Sequence, residues 1–249
     1  THAIELGDAR VFADALPNCL IWRYELDNLS HNTAWAQIGQ GDDVAHSLDH
    51  PHWQYRHFSE CAGHLLFSRG DYSLSLADVA AVKVGAVSGA DQIYVSDLHG
   101  NRDFVSSGTI ASGQTRRMIW CEPGQPAPDA LLPHRDRLLA RRIRPFDATN
   151  WWQWGRGYPQ TAAPRVYVNS KTRRPQPFFT HPCPNFDGAV LGVFPHRTDV
   201  DLAAFRDALN TVDWADLGFV CDGRYLFTQR SLENAPLPNA FEAFLPPTA

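Results

Sequence analysis

The sequence predicts an α+β fold, with mixed and antiparallel sheets joined by a few helices. Short apolar runs bounded by turn residues recur along the 249 residues, whereas only two stretches have the spacing of an amphipathic helix. An Asp-Gly pair between the apolar runs 217–221 and 224–228 also suits a type I′ turn, so these runs are predicted to form a β-hairpin. The chain is long enough for one large domain or two modest ones.

The apolar runs have the length and composition of buried strands. They predict strands at residues 19–24, 63–68, 79–87, 93–95, 165–169 and 186–194. The polar stretch 27–41 is expected to be a loop, and residues 88–91 a turn. Ser75 and Asp78 have the spacing of a helix cap.

Two helices are predicted. The stronger one spans residues 128–144, where Asp129 is placed to cap it and an apolar stripe of Leu and Ile lies opposite five arginines. Those arginines, expected on the solvent face, are Arg135, Arg137, Arg141, Arg142 and Arg144. The second helix is predicted at 199–209, capped by Thr198 or Asp199.

Charge is distributed unevenly along the chain. The formal net charge is −5 overall, but it is −8 for residues 1–101, +8 for residues 102–174 and −5 for residues 175–249. We call residues 102–174 the arginine island, because 12 of its 13 basic residues are Arg. Arginine suits bidentate contact with phosphate and with guanine edges, so the island predicts a surface that binds a polyanion.

Composition also limits the cellular context. No apolar run approaches the roughly 20 residues that a bilayer-spanning helix needs, so no membrane partner is expected. The five cysteines are odd in number and widely spaced, which is typical of a reducing compartment and predicts a cytoplasmic location. Because the chain begins with Thr, we expect it to be a piece of a longer protein.

Several common catalytic motifs are missing from the sequence. It has no dinucleotide-binding glycine motif and no phosphate-binding loop, and the serine in residues 85–89 is one place too late for a nucleophile elbow. These absences disfavour nucleotide hydrolysis and acyl transfer.

A histidine-rich stretch has ligand types that suit zinc. Three of its residues, His57, Cys61 and His64, are spaced to share one helix face. Further histidines lie just upstream at 46, 50 and 52, but Pro51 and Gly63 would interrupt such a helix. Packing or surface roles are therefore favoured, and no metal site is predicted.

The segment 150–158 contains three tryptophans and a tyrosine among arginines. Such rings either offer stacking faces to nucleic-acid bases or form a core anchor, and the sequence leaves both readings open. A second basic turn, at Lys171, Arg173 and Arg174, could be solvated or could hold phosphates; the excess charge of the island favours DNA.

Two stretches resemble a known family. Residues 12–22, Phe-Ala-Asp-Ala-Leu-Pro-Asn-Cys-Leu-Ile-Trp, and residues 82–94, Val-Lys-Val-Gly-Ala-Val-Ser-Gly-Ala-Asp-Gln-Ile-Tyr, are similar to the second half of bacterial restriction-modification adenine-specific DNA methyltransferases of the gamma arrangement. In that family a catalytic domain that binds S-adenosylmethionine precedes a target-recognition domain. Residues 82–94 are the more specific match, being similar to the loop that opens the recognition domain.

The resemblance implies a division of the chain. Residues 1–70 are expected to be the end of the catalytic domain with a linker, and residues 71–249 a strand-rich target-recognition domain. The catalytic signature Asn/Asp-Pro-Pro-Tyr/Phe and the glycine-rich cofactor loop are absent. The chain is therefore expected to be inactive alone and to hold no cofactor, with S-adenosylmethionine bound by the full-length site-specific DNA (adenine-N6) methyltransferase. Expected partners are double-stranded DNA and the N-terminal methyltransferase domain of the same protein.

The island and the resembling loop supply the predicted DNA-binding residues. These are Lys83, Ser88, Arg102, Arg116, Arg117, Arg135, Arg141, Arg142, Arg144, Trp152, Trp154, Arg156, Lys171, Arg173 and Arg174. The loop arginines Arg156, Arg173 and Arg174 are expected to include readers of base edges, and the helix arginines to contact phosphate. No catalytic or metal-binding residue is predicted. The alternative is a protein-interaction module that uses the Trp151–Trp154 cluster as an apolar patch.

Overall fold

The computed structural model describes residues 72, 74–215, 217–221 and 223–247, together with the backbone of four earlier strands. Its contacts divide the chain into two compact units, each made of separate segments. Unit 1 comprises Thr1–Val79, Lys171–Pro175 and Thr211–Ala249, and unit 2 comprises Ala80–Ser170 and Gln176–Asn210. The predicted boundary after residue 70 stays a prediction.

Helices alternate with antiparallel sheets, which confirms the α+β class. The strands are β1 (Cys19–Arg23), β2 (Thr33–Ile38), β3 (Gln54–Cys61), β4 (His64–Ser68), β5 (Leu74–Ser75), β6 (Ala80–Val84), β7 (Arg102–Phe104), β8 (Arg116–Met118), β9 (Val166–Asn169), β10 (Lys171–Thr172), β11 (Phe178–Phe179), β12 (Val190–Pro195), β13 (Val220–Cys221), β14 (Arg224–Leu226) and β15 (Pro236–Leu237). The α-helices are α1 (Leu76–Val79), α2 (Asp91–Tyr94), α3 (Thr109–Ser112), α4 (Arg135–Leu139), α5 (Leu202–Thr211) and α6 (Gln229–Glu233). Within the described residues, 3-10 helices span Asp129–His134 and Asn239–Phe244.

In unit 1, the first sheet has the strand order β1-β2-β3-β4. The strands predicted at 19–24 and 63–68 are confirmed as β1 and β4. The loop predicted at 27–41 is wrong, because β2 pairs there with both β1 and β3. Pairing on both edges satisfies the backbone of this polar stretch, which its local composition does not signal.

Unit 1 also contains the predicted hairpin, and it is confirmed. Cys221 lies opposite Arg224 in the β13–β14 pair, and Gly223 takes a φ of +65°, as this tight turn requires. At the start of α1, the Asp78 carboxylate accepts hydrogen bonds from the Ser75 backbone N–H at 2.7 Å and from the Ser75 hydroxyl at 2.8 Å. The Asp78 half of the predicted capping box is therefore present.

Unit 2 is built on a four-stranded antiparallel sheet with the order β11-β9-β12-β6. It also contains a separate two-stranded antiparallel sheet of β7 and β8. The strands predicted at 79–87, 165–169 and 186–194 are confirmed as β6, β9 and β12. Beside the sheet, a core cluster rich in aromatic rings fills the space under the loops of the arginine island.

The strand predicted at 93–95 is wrong. Residues 91–94 form the single helical turn α2, whose Ile93 and Tyr94 are buried. The preceding turn is closed by a hydrogen bond from the Ser88 hydroxyl to the Asp91 carboxylate. The Tyr94 hydroxyl donates to the Trp152 carbonyl at 2.9 Å, so a distant contact fixes this conformation.

The helix predicted at 128–144 is much shorter in the structure. Residues 129–134 are a 3-10 helix that contains Pro133, and α4 ends at Leu139. Proline lacks the N–H of a regular helix and restricts the residue before it, which explains the 3-10 segment. Leu131 and Leu138 are buried as expected, but Ile143 of the predicted apolar stripe is 43% exposed.

The second predicted helix is confirmed as α5, with a shifted start. Asp201 caps it, because its carboxylate accepts from the backbone N–H groups of Ala203 at 2.9 Å and Ala204 at 3.2 Å. The predicted cap at Thr198 or Asp199 is wrong, and Asp199 instead accepts from the Arg197 guanidinium at 2.7 Å. In the described part of the chain, no helix combines the length and apolar character of a membrane span.

Candidate nucleic-acid interface

Arg141 is buried and links three loops of unit 2. Its Nε donates to the Leu138 carbonyl at 2.8 Å and its Nη1 to the Ser88 carbonyl at 2.5 Å. Its Nη2 donates to the carbonyls of Trp151 at 2.5 Å and Gln153 at 3.0 Å. The residue is only 9% exposed, so its predicted position on the solvent face of a helix is wrong. The chain leaves α4 just before it and carries the guanidinium inward, towards carbonyls that have no helical partner.

The charge of Arg141 is balanced by dipoles and rings. No carboxylate among the described residues forms a salt bridge with it. Its guanidinium carbon lies 3.9 Å from the Phe146 ring centroid and 5.6 Å from that of Tyr94. Burial lowers the pKa of Arg141, and burial raises the pKa of the neighbouring Cys121 thiol to about 12. A positive charge with no carboxylate partner in the described part of the chain therefore lies beneath these loops.

We call the outer side of these loops, residues 86–92, 141–146 and 151–156, the three-loop surface. The first and third loops are joined by a backbone pair: Val87 N–H donates to the Arg156 carbonyl at 2.9 Å, and Arg156 N–H donates back at 3.1 Å. The second loop is fixed by Ile143, which packs against two glycines. A Cβ at Gly89 would lie 2.1 Å from Ile143 Cδ1, and one at Gly155 would lie 2.7 Å from its Cγ2.

Segment 82–94, which carries the resemblance described above, therefore contributes to this surface. Gly89 also has a φ of +75°, a conformation that glycine adopts without strain. Ser88 is fully buried; its hydroxyl donates to Asp91 and its carbonyl accepts from Arg141. Ser88 thus shapes the loop, and its contact with DNA stays a prediction.

Five arginines of unit 2 are exposed, and none of them forms a salt bridge with another described residue. They are Arg117, Arg135, Arg137, Arg142 and Arg156. Two of them, Arg142 and Arg156, lie on the three-loop surface. Arg144 is half-buried there and donates to the Gln153 side-chain oxygen at 3.0 Å, while Lys83 is exposed on β6. DNA contact by these residues stays a prediction.

Other basic residues of the island make contacts within unit 2. Arg102 donates to Glu122 at 2.6 Å and to the Tyr158 hydroxyl at 3.1 Å, and it lies 5.2 Å from the Trp120 ring centroid. Arg116 lies 3.9 Å from the Asp187 carboxylate. The predicted role of Arg102 and Arg116 on DNA is untested, but both already interact with carboxylates of the chain.

The tryptophans of segment 150–158 are mainly core residues. Trp151 and Trp154 are 4% and 5% exposed, and the Trp154 indole donates to the Ile119 carbonyl at 3.0 Å. Trp154 stacks on Phe104 with ring centroids 5.3 Å apart. This packing favours the core-anchor interpretation for Trp154, and its contact with DNA stays a prediction. Trp152 is half-buried, and its indole donates to the Gln125 carbonyl.

Burial of Trp151 and Trp154 also weakens the alternative function, a protein-interaction module. An apolar patch for a protein partner needs exposed rings, and the Trp151–Trp154 cluster does not provide one. The sequence of a Trp-rich loop does not show whether its rings face the solvent or the core. The deciding contacts, to Phe104 and Ile119, come from distant parts of the chain.

The second basic turn belongs to unit 1. Lys171, Arg173 and Arg174 are exposed, and the Arg174 N–H donates to the Thr172 hydroxyl at 3.2 Å in the predicted polar turn. The arginine island is therefore divided between the two units. Contact of these three residues with DNA stays a prediction.

Sequence reasoning missed Asp187, an acidic residue beside the three-loop surface. It is 2% exposed, and its carboxylate accepts from the Ala189 N–H at 3.0 Å. Burial raises its pKa to about 6, and nearby Asp91 adds to the rise, whereas Arg116 and the Ala189 bond oppose it. The Asp-Gly pair at 187–188 indicates a turn in the sequence, but nothing local shows that the carboxylate is buried.

The histidine-rich stretch forms strands. His57 and Cys61 lie on β3 and His64 on β4, so the helix face considered for a metal is absent. His46, His50 and His52 lie outside the described residues. Among the residues whose side chains the structure describes, no group of three or more His, Cys, Asp or Glu could hold a metal ion.

Comparison with known proteins adds no identification. No family model matches the chain, and no curated protein is significantly similar to it. The geometry of unit 2 and the sequence therefore carry the proposed function.

Proposed function

We propose that this chain binds double-stranded DNA through the exposed arginines of unit 2, with the three-loop surface at the centre of the contact. The observation that carries this proposal is the set of five exposed arginines without salt-bridge partners among the described residues. An arginine kept free of carboxylates is available for bidentate contact with phosphate. The buried charge of Arg141, which has no carboxylate partner among the described residues, adds to the positive potential of the same surface.

The resemblance of residues 82–94 extends the proposal. It suggests that the chain is the target-recognition part of an adenine-N6 DNA methyltransferase of a restriction-modification system. S-adenosylmethionine and the methyl transfer would then belong to the N-terminal domain of the full-length protein. The location of this segment in the three-loop surface supports this role, because loops on a rigid scaffold commonly carry recognition.

Salt dependence of binding tests the proposal. Each phosphate contact releases counter-ions, so log Kobs should fall against log salt with a slope of about −0.9 per contact. Five contacts give a slope of about −4.5, or a loss of affinity of about 500-fold between 50 and 200 mM salt. Fluorescence anisotropy with a labelled 30-base-pair duplex of random sequence measures this slope. Affinity that does not change with salt would contradict the proposal.

A pair of variants locates the contact. The double variant Arg142→Ala/Arg156→Ala should lose two phosphate contacts. Its affinity for DNA should then fall by only about 40-fold over the same salt range. The matched control is Arg206→Ala on α5, because Arg206 already pairs with Asp207 at 2.7 Å. The control should bind as the unaltered chain does. An equal loss in both variants would show that the three-loop surface is not the contact.

A further inference from the structure

The loop that opens the three-loop surface also borders a cavity of about 380 Å³. Ala86, Val87 and residues 89–92 form one side, and Gly188 and Ala189 form the other. Most of the lining consists of Ala, Gly and Val, which leaves Asp91 and Gln92 as the polar side chains among the lining residues. Both are exposed, so the cavity presents these two groups to an incoming ligand.

Both side chains keep free hydrogen-bonding capacity. One carboxylate oxygen of Asp91 accepts from the Ser88 hydroxyl, and the other has no hydrogen bond with any described residue. The Gln92 amide has no hydrogen-bond partner among the described residues, so it offers both a donor and an acceptor. The Ser88 bond fixes the position of Asp91, and the site therefore has one oriented carboxylate beside one adaptable amide.

The surroundings of the cavity narrow the choice of ligand. Val87 in its wall is paired with Arg156, and Asp187, next to Gly188, lies 3.9 Å from Arg116. On a surface that attracts phosphate, the Asp91 carboxylate is repelled by phosphate itself. A carboxylate in such a place binds favourably only to hydrogen-bond donors, and the donors on DNA base edges are mainly exocyclic amino groups.

We infer that Asp91 and Gln92 read an amino-bearing base, adenine or cytosine, in double-stranded DNA. This inference rests on the proposed function. The Asp91 carboxylate accepts from the amino group, adenine N6 or cytosine N4. The Gln92 amide is suited to the N6 and N7 atoms of adenine. Guanine and thymine present no major-groove amino group, so the pair discriminates against them.

Binding-site selection from a pool of randomised duplexes tests this inference with the full chain. The unaltered chain should enrich a motif in which one position is adenine or cytosine. In the double variant Asp91→Asn/Gln92→Ala, preference at that position should fall at least tenfold while the other positions keep theirs. The Asp91→Asn change retains a side-chain oxygen for the Ser88 hydroxyl, so the loop keeps its conformation. Affinity for the random pool should stay equal or rise, because a negative charge is removed.

The matched control is Asp97→Asn, which makes the same charge change at an exposed residue outside the cavity lining. It should enrich the same motif as the unaltered chain. If the double variant also enriches that motif, or if the unaltered chain binds the pool without any preference, the inference is wrong while DNA binding stands. If the unaltered chain does not bind the pool at all, the proposed function fails as well.

Discussion

Replacing Arg141 by methionine should lower the free energy of unfolding by about 3–5 kcal/mol. The variant keeps an unbranched stem of similar length but removes four hydrogen bonds from the guanidinium to backbone carbonyls. Hydrogen bonds to charged groups contribute about 1.5–3 kcal/mol each, so four of them set an upper limit of roughly 6–12 kcal/mol. Burying the charged guanidinium costs several kcal/mol, and the methionine variant avoids this cost. The expected loss of stability is the hydrogen-bond contribution minus this desolvation cost.

Urea unfolding followed by tryptophan fluorescence measures this loss, because Trp151 and Trp154 are buried and the Trp151 carbonyl accepts from Arg141. The control is Arg142→Met, the same change at the exposed neighbouring residue, which should alter stability by no more than about 0.5 kcal/mol. Arg141→Lys should restore little of the lost stability, because a single ammonium group cannot follow the fork of the guanidinium to four carbonyls. Equal losses at positions 141 and 142 would refute the role of Arg141 in linking the loops.

Two more changes test the interior of unit 2. Trp154→Ala should cost about 3–5 kcal/mol in urea unfolding, and Trp152→Ala clearly less, because only Trp154 is fully packed; equal costs would contradict the core assignment. The folded state holds the Asp187 proton more tightly than the unfolded chain, since burial raises this pKa from 3.8 to about 6. The free energy of unfolding should therefore fall by about 2 kcal/mol as the pH rises from 4 to 6. Asp187→Asn should lose this dependence, and an unchanged pH profile would show that another group causes it.

Local patterns predicted the elements whose causes are local. The hairpin of β13 and β14 follows from its Asp-Gly turn, and β9 and β12 follow from apolar runs of strand length. The α5 helix was also found, although its cap was placed two or three residues too early. These features depend on residues within a few positions of one another, so local sequence patterns are sufficient to predict them.

Features fixed by distant contacts were not predictable in this way. The Ser88 carbonyl, which accepts from Arg141, is 53 residues away in the chain. No periodicity signals such a bond, and the helical pattern of 128–144 instead placed Arg141 on the solvent face. The segment 93–95 has strand composition, but the Ser88–Asp91 turn and the Tyr94 bond to Trp152 hold it as a helical turn. In each case a long-range contact outweighs a weak local preference.

The same distinction changes what the charge count implies for DNA binding. If all 13 basic residues of the island contacted phosphate, the salt slope would be about −12. Arg141 and Arg165 are buried, and Arg102 pairs with Glu122, so these three side chains stabilise the fold and are not counted as phosphate contacts. The exposed arginines of unit 2 alone give a slope of about −4.5, and adding the three exposed residues of the 171–174 turn gives about −7. A measured slope thus separates contact by unit 2 from contact by both units, which the sequence, with its single island of charge, does not distinguish.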